Sequence, residues 1–173
     1  VTANGPSKGA KNARVTIVEF ADYECPYCAR GSDVMKEVLK KYPNDVRVVF
    51  RDFTLDFHAN AIPAAITARC AGKQGKYWEM HDMLFANMEA LGESALRSYA
   101  KKLGLDLAKY DSCIADPAWQ AAIRADEAEA AQYGVEGTPA FFVNGIPLSG
   151  AQPLERFSEI IDRELANSPS KKK

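Results

Sequence analysis

Two cysteines separated by two residues stand at Cys25-Pro26-Tyr27-Cys28. At that spacing the sulfurs can close a small, strained disulfide that exchanges readily with other thiols. The β-branched run Val15–Phe20 lies just upstream, and Pro26 stands where a first helical turn tolerates proline. A helix starting under Cys25 turns free amides and the positive end of its dipole toward the sulfur, which favours the thiolate. Cysteines so placed lose their proton between roughly pH 3.5 and 7.5, against about 8.5 for a free one. Cys25 is therefore the expected nucleophile. Cys28, one turn into the helix, is expected to be more buried, which resists ionisation and suits it to resolving a mixed disulfide. A permanent disulfide or half of a zinc site would use the same two residues. Their place at a strand-to-helix junction favours redox chemistry instead.

Three further residues bear on that chemistry. Glu19 is a charge inside the most apolar strand, which is costly without a partner or a task. It reads either as a proton exchanger for Cys28, with a raised pKa, or as an edge-facing glutamate paired with a lysine. His81 reads as a partly exposed packing residue inside a helix, and His58 as a residue near the rim of the site. No motif fixes the geometry of either histidine, so neither is assigned to catalysis.

The elements that must position these groups are legible in the pattern. Residues 1–14 read as an extended lead-in, and Val15–Phe20 as a strand covered on both faces. A helix then runs to about Tyr42, stopped by Pro43-Asn44-Asp45, and Val46–Phe53 forms a second strand, giving a βαβ unit with a parallel pair. From Asn60 to Gly134 the pattern is helical throughout. Apolar stripes there run through Ile62, Ile66 and Cys70, then Tyr77 to Leu91, Leu96 to Leu103, and Leu107 to Ile114. Asp116-Pro117 reads as an N-cap with proline at the first position of a last helix ending at Gly134. Ala140–Val143, the turn Asn144-Gly145 and Ile146–Ser149 form a hairpin. Pro147 makes its second strand an edge, and Pro153–Leu165 is the closing helix. The resulting division is an extension at 1–14, an α/β domain from 15–58 and 135–167, an inserted helical domain at 59–134, and a flexible tail at 168–173.

Composition excludes other classes. The net charge is −1, with no basic patch beyond the solvated Lys171-Lys172-Lys173, so nucleic acid is not an expected partner. No apolar run approaches the roughly 18 residues of a membrane helix. The chain opens at Val1, which fits a mature form with a signal peptide removed. Four cysteines, an even number, fit an oxidising compartment.

The order β-α-β, helical insertion, β-β-α, with Cys25-Pro26-Tyr27-Cys28 at the first junction, resembles a thioredoxin fold. The insertion ahead of Thr138-Pro139 makes it similar to the DsbA-like thiol:disulfide oxidoreductases. Three segments agree: Val15–Phe20, Cys70-Ala71-Gly72-Lys73-Gln74-Gly75-Lys76-Tyr77-Trp78, and Gly137-Thr138-Pro139-Ala140-Phe141-Phe142-Val143-Asn144-Gly145. The resemblance covers roughly residues 12–166. The resemblance implies that Thr138-Pro139 forms a cis-proline loop facing the cysteines. That loop would offer a backbone edge to substrate and exclude metal from between the thiols. The resemblance also matches Glu19 to the buried acid of these enzymes. It suggests a structural disulfide between Cys70 and Cys113, whose own pattern also fits two buried free thiols.

Pro26 and Tyr27 tune the pair. Tyr27 stands where DsbA has histidine, which removes a possible cation beside the thiolate, and Thr138 stands where DsbA has valine. Both changes lean toward an isomerase-like or reductase-like poise, closer to glutaredoxins and DsbG. The short lead-in leaves no room for the dimerisation domain of the known isomerases, so a monomer is expected. The expected activity is therefore disulfide exchange with cysteine-containing proteins, most directly disulfide formation in the cell envelope, in the periplasm or another extracytoplasmic space. No cofactor or metal is required. A DsbB-type membrane quinone reductase, or alternatively a reducing partner, would reset the pair. Competing readings are an isomerase or reductase of the same family, a glutathione-dependent enzyme of the kappa class, which does not need two cysteines, and a redox-inert module binding peptide or metal.

Overall fold

A computed structural model describes residues 1–168. In chain order it contains β1 (Ser7–Gly9), β2 (Val15–Ala21), α1 (Pro26–Lys41), β3 (Val46–Asp52), α2 (Ala61–Lys73), α3 (Tyr77–Ala86), α4 (Glu93–Lys102), α5 (Leu107–Ile114), α6 (Ala118–Gln132), β4 (Ala140–Val143), β5 (Ile146–Ser149) and α7 (Leu154–Asn167). The sheet order is β1-β3-β2-β4-β5. β2 and β3 are parallel, as a crossover helix requires, and the remaining pairs are antiparallel. The expected α/β thioredoxin-like core with inserted helices is present.

Alternation along the strands divides the core. Val15 and Ile17 of β2, Val46 and Val48 of β3, and Phe141 and Val143 of β4 pack against Met35 and Val38 of α1 and Phe157 and Ile161 of α7. Val18, Phe20, Val49, Ala140 and Phe142 cover the opposite face together with Ala130 of α6. A further cluster joins Ala21, Tyr23, Cys25, Cys28 and Phe50 to the inserted helices, so both cysteines sit in the seam between core and insertion. By parity Glu19 falls on the α1 face of the sheet.

Charged pairs fasten the insertion to β3. Arg51 reaches Asp126 at 2.7 Å and Glu129 at 2.8 Å, and Arg69 reaches Asp52 at 2.7 Å and Asp126 at 2.8 Å. Glu127 also accepts from the Thr54 amide and hydroxyl.

The structure departs from the sequence reading in four places. The lead-in contains β1, paired with β3 through Ser7 opposite Val49. Gly9 closes it at φ 116°, where a Cβ would stand 2.5 Å from the Val46 carbonyl. α3 stops at Ala86, and the Asn87 side chain donates to the Met83 carbonyl, so Met88 and Leu91 lie beyond the helix. α6 starts after Pro117, with the Asp116 carboxylate accepting from the Ala118 amide. His81 is buried, not partly exposed, among the rings of Tyr23, Phe50, Trp78 and Phe85. The turn follows its signal: Asn144 at φ 48° and Gly145 at φ 85° join β4 to the edge strand β5. Of the tail expected at 168–173, all but Ser168 lies outside the described residues.

Candidate active site

β2 ends at Ala21, and four residues later Cys25 takes the N-cap position of α1, with Pro26 opening the helix. Proline costs nothing there because the first amides of a helix have no intrahelical partner. The Cys25 carbonyl accepts the first intrahelical bonds, from Cys28 at 3.0 Å and Ala29 at 3.2 Å. Both cysteines are free thiols and both are buried, Cys28 completely and Cys25 with 4% of its surface exposed.

Their electrostatics diverge. A hydrogen bond from the Cys28 thiol lowers the Cys25 pKa to about 5, against the opposing effect of burial, with Thr138 and the backbone amides of Cys28 and Tyr27 adding to the stabilisation. Cys28 moves the other way and is pushed far up, first by burial and then by the proton it shares with Cys25. One sulfur is held as a thiolate near neutral pH while the other remains a thiol.

The loop ahead of β4 completes the site. The Thr138–Pro139 peptide is cis. The Thr138 carbonyl is 3.6 Å from Cys25 Sγ. On α1, Gly31 packs so closely that a Cβ there would be 3.0 Å from Phe141 Cζ, 3.4 Å from Pro139 Cγ and 3.6 Å from Glu19 Oε1. Gly31 follows Cys28 by three residues and so shares its helix face. Glu19 is buried with its Oε1 unpartnered among the described residues, and burial raises its pKa to about 8. Tyr27 stands at the rim, 58% exposed, with the Arg30 guanidinium 4.5 Å from its ring centroid. Cys70 of α2 and Cys113 of α5 are joined in a disulfide.

Three participants went unassigned in the sequence reading. Asp22 is buried, and its carboxylate accepts from the Glu24 amide at 2.7 Å, the Leu55 amide at 2.8 Å and His58 Nδ1 at 2.8 Å. Its own amide donates to Cys28 Sγ at 3.5 Å. The Glu24 carboxylate accepts from the Asn60 amide at 2.7 Å, tying the Cys25 approach to the start of α2. Arg30 lies three residues past Tyr27, a spacing that does signal a contact on a helix. Asp22 and Glu24 had only a local cue, the tendency of Asp before a turn to accept from the amide two residues on.

The family model described as thioredoxin matches residues 2–163. The chain belongs to the thioredoxin family. A thioredoxin-like oxidoreductase from Silicibacter pomeroyi is 31% identical, with a TM-score of 0.84, over 95% of this chain and 94% of that one. The thiol-disulfide exchange protein alpha-DsbA2 from Wolbachia pipientis superposes with a TM-score of 0.83 at 22% identity, over 92% of this chain and 86% of that one, a likeness of fold. A Na(+)/H(+) antiporter, NhaA 3 from Salinispora tropica, is 39% identical over 93% of this chain. The chain spans about a quarter of the length of that relative. No helix among the described residues is long and apolar enough to cross a membrane. This thioredoxin-family member has the DsbA-like form of the fold.

Proposed function

We propose that the chain exchanges disulfides with cysteine-containing proteins through Cys25 and Cys28, and that its main direction is disulfide formation outside the cytoplasm. The observation that carries this reading is the place of Cys25 at the N-cap of α1, against the cis Thr138–Pro139 loop, with Cys28 fully buried one turn on. In the oxidising direction a substrate thiolate attacks Cys25 Sγ of the Cys25–Cys28 disulfide, and Cys28 leaves and takes up a proton. A second substrate thiolate then attacks the substrate sulfur of the mixed disulfide, and Cys25 leaves as the thiolate. The substrate loses two electrons and the pair gains them.

The sign of the pKa shift supports that direction. A lowered folded-state pKa stabilises the reduced protein at pH values above it, and this stabilisation is lost as pH falls through about 5. Stabilising the reduced form makes the disulfide more oxidising. The Cys70–Cys113 disulfide fits an oxidising compartment, and it leaves no set of four cysteines for zinc. A DsbB-type quinone reductase would then reset the pair. The isomerase or reductase reading keeps its support from Tyr27 and Thr138, which withhold from Cys25 the cation and the apolar neighbour of a stronger oxidase.

Oxidation of a reduced, unfolded model protein tests the assignment. The disulfide form is expected to restore its native disulfides, and Cys25→Ser and Cys28→Ser, which cannot close the pair, to oxidise nothing, while reduced Cys28→Ser, given the disulfide-bonded form of a substrate, is expected to attack it and stall as a mixed disulfide through Cys25. Mixed disulfides on Cys28 in place of Cys25, or full activity in either variant, would remove the reading.

A further inference from the structure

Three buried polar atoms line one small cavity beneath α1 and have no hydrogen-bond partner among the described residues: Glu19 Oε1, Ser32 Oγ and His81 Nε2. They come from three separate elements, β2, α1 and α3. Leaving one such atom unpaired costs on the order of 1–3 kcal/mol, and three around a shared space point to a bridging group. The cavity measures about 20 Å³, enough for one water, which needs two to four polar partners.

The outer wall of that cavity reaches solvent. Lys36 and Asp82 line it and form an ion pair at 3.6 Å, with side chains 49% and 41% exposed. The His81 Nδ1–H donates to Asp82 Oδ1 at 3.2 Å, which leaves the lone pair of Nε2 facing inward. Lys8 of β1 closes the remaining side. Tyr23 and Tyr77, which also feel the Glu19 charge, are held protonated by burial.

We propose that Ser32, His81 and Asp82, with one bound water, form a proton relay between the Glu19 carboxyl and solvent. It rests on the disulfide-exchange reading and adds the route by which the buried acid is recharged. Glu19 first gives up its resting proton through the relay; when Cys28 then attacks a mixed disulfide at Cys25, the Cys25–Cys28 bond forms, the substrate sulfur leaves, and the Cys28 proton passes to the emptied Glu19 carboxylate. Glu19 passes it through the water to His81 Nε2, and the Nδ1 proton leaves to Asp82 and bulk water. In the oxidising direction each transfer runs backward, delivering a proton to the Cys28 thiolate as it is expelled. Burial holds Glu19 at a pKa of about 8 and lowers that of His81, so near neutral pH a proton resting on Glu19 has an uncharged imidazole as its acceptor. Ser32 and His81 act through Glu19 and are positioning residues.

The test follows expulsion of glutathione by Cys28 from a Cys25–glutathione mixed disulfide, in light and heavy water. His81→Phe, which keeps a ring in the aromatic cluster, and Ser32→Ala are expected to slow release roughly tenfold or more and to change its pH profile. The half-exposed Asp82→Asn should shift release in the same direction by a smaller factor. Cys25 alkylation should be unchanged in all three, and His81→Phe should add nothing in a Glu19→Gln background. Release at the parent rate in His81→Phe and Ser32→Ala, or equal slowing with and without Glu19, would overturn the relay. Failure of the parent protein to form the mixed disulfide at all would instead remove the exchange reading, and the relay with it.

Discussion

At the scale of the residue, the site works by giving two identical side chains opposite proton affinities. Cys25 receives hydrogen bonds at a helix start, while Cys28 is sealed in the seam and keeps its proton. The difference is measurable without any substrate. Alkylation of the reduced protein, followed by mass, is expected to modify Cys25 alone near neutral pH. Its rate should be flat above about pH 6 and fall tenfold per unit below a midpoint of about 5, because only the thiolate reacts. A midpoint near the free-cysteine value of about 8.5 would mean that the α1 terminus does not stabilise Cys25. The cysteine pair and Glu19 could be singled out in the sequence because spacing and a charge in an apolar run are local signals. Asp22 could not. Its partners Leu55 and His58 lie more than thirty positions away, and nothing near Asp22 announces them. The burial of His81 is hidden from the sequence for a related reason. Its neighbours along α3 are mixed in polarity, while the rings that bury it include Tyr23 and Phe50 from outside that helix.

At the scale of the element, placement of the site depends on α6 and α2 staying fastened to β3. Arg51 is almost fully buried and holds both Asp126 and Glu129, while Asp126 also holds Arg69. Removing Asp126 leaves Arg51 held by Glu129 alone and Arg69 by Asp52 alone, each with a buried donor unpaired. Asp126→Ala is expected to destabilise the protein by about 2–3 kcal/mol in denaturant titration. A loss below about 1 kcal/mol would mean that the network is solvated like a surface pair. Most elements were legible because each carries its own periodicity and stop signal, as in α5 and the Asn144-Gly145 hairpin. β1 was not, since three exposed residues of Ser-Lys-Gly carry no strand pattern. It exists because β3 offers an unpaired edge and Gly9 can approach the Val46 carbonyl.

At the scale of the whole molecule, the fold brings together residues more than a hundred positions apart. Cys25 and Thr138 meet because β2 and β4 are sheet neighbours, and the insertion between them forms one wall of the seam. The Cys70–Cys113 disulfide ties α2 to α5 across a separation of 43 residues, a loop for which chain entropy gives stabilisation on the order of 3–4 kcal/mol. The strength of that wall bears on how far Cys28 stays buried, and hence on the balance between the two sulfurs. This balance sets the equilibrium between dithiol and disulfide, and its direct readout is the reduction potential of Cys25–Cys28 against glutathione, followed by mass after thiol trapping. The account predicts a potential less negative than about −200 mV, toward the roughly −120 mV of DsbA, because a thiolate stabilised to a pKa of about 5 favours the reduced form. A potential near the roughly −270 mV of thioredoxin would contradict it and make the chain a reductant.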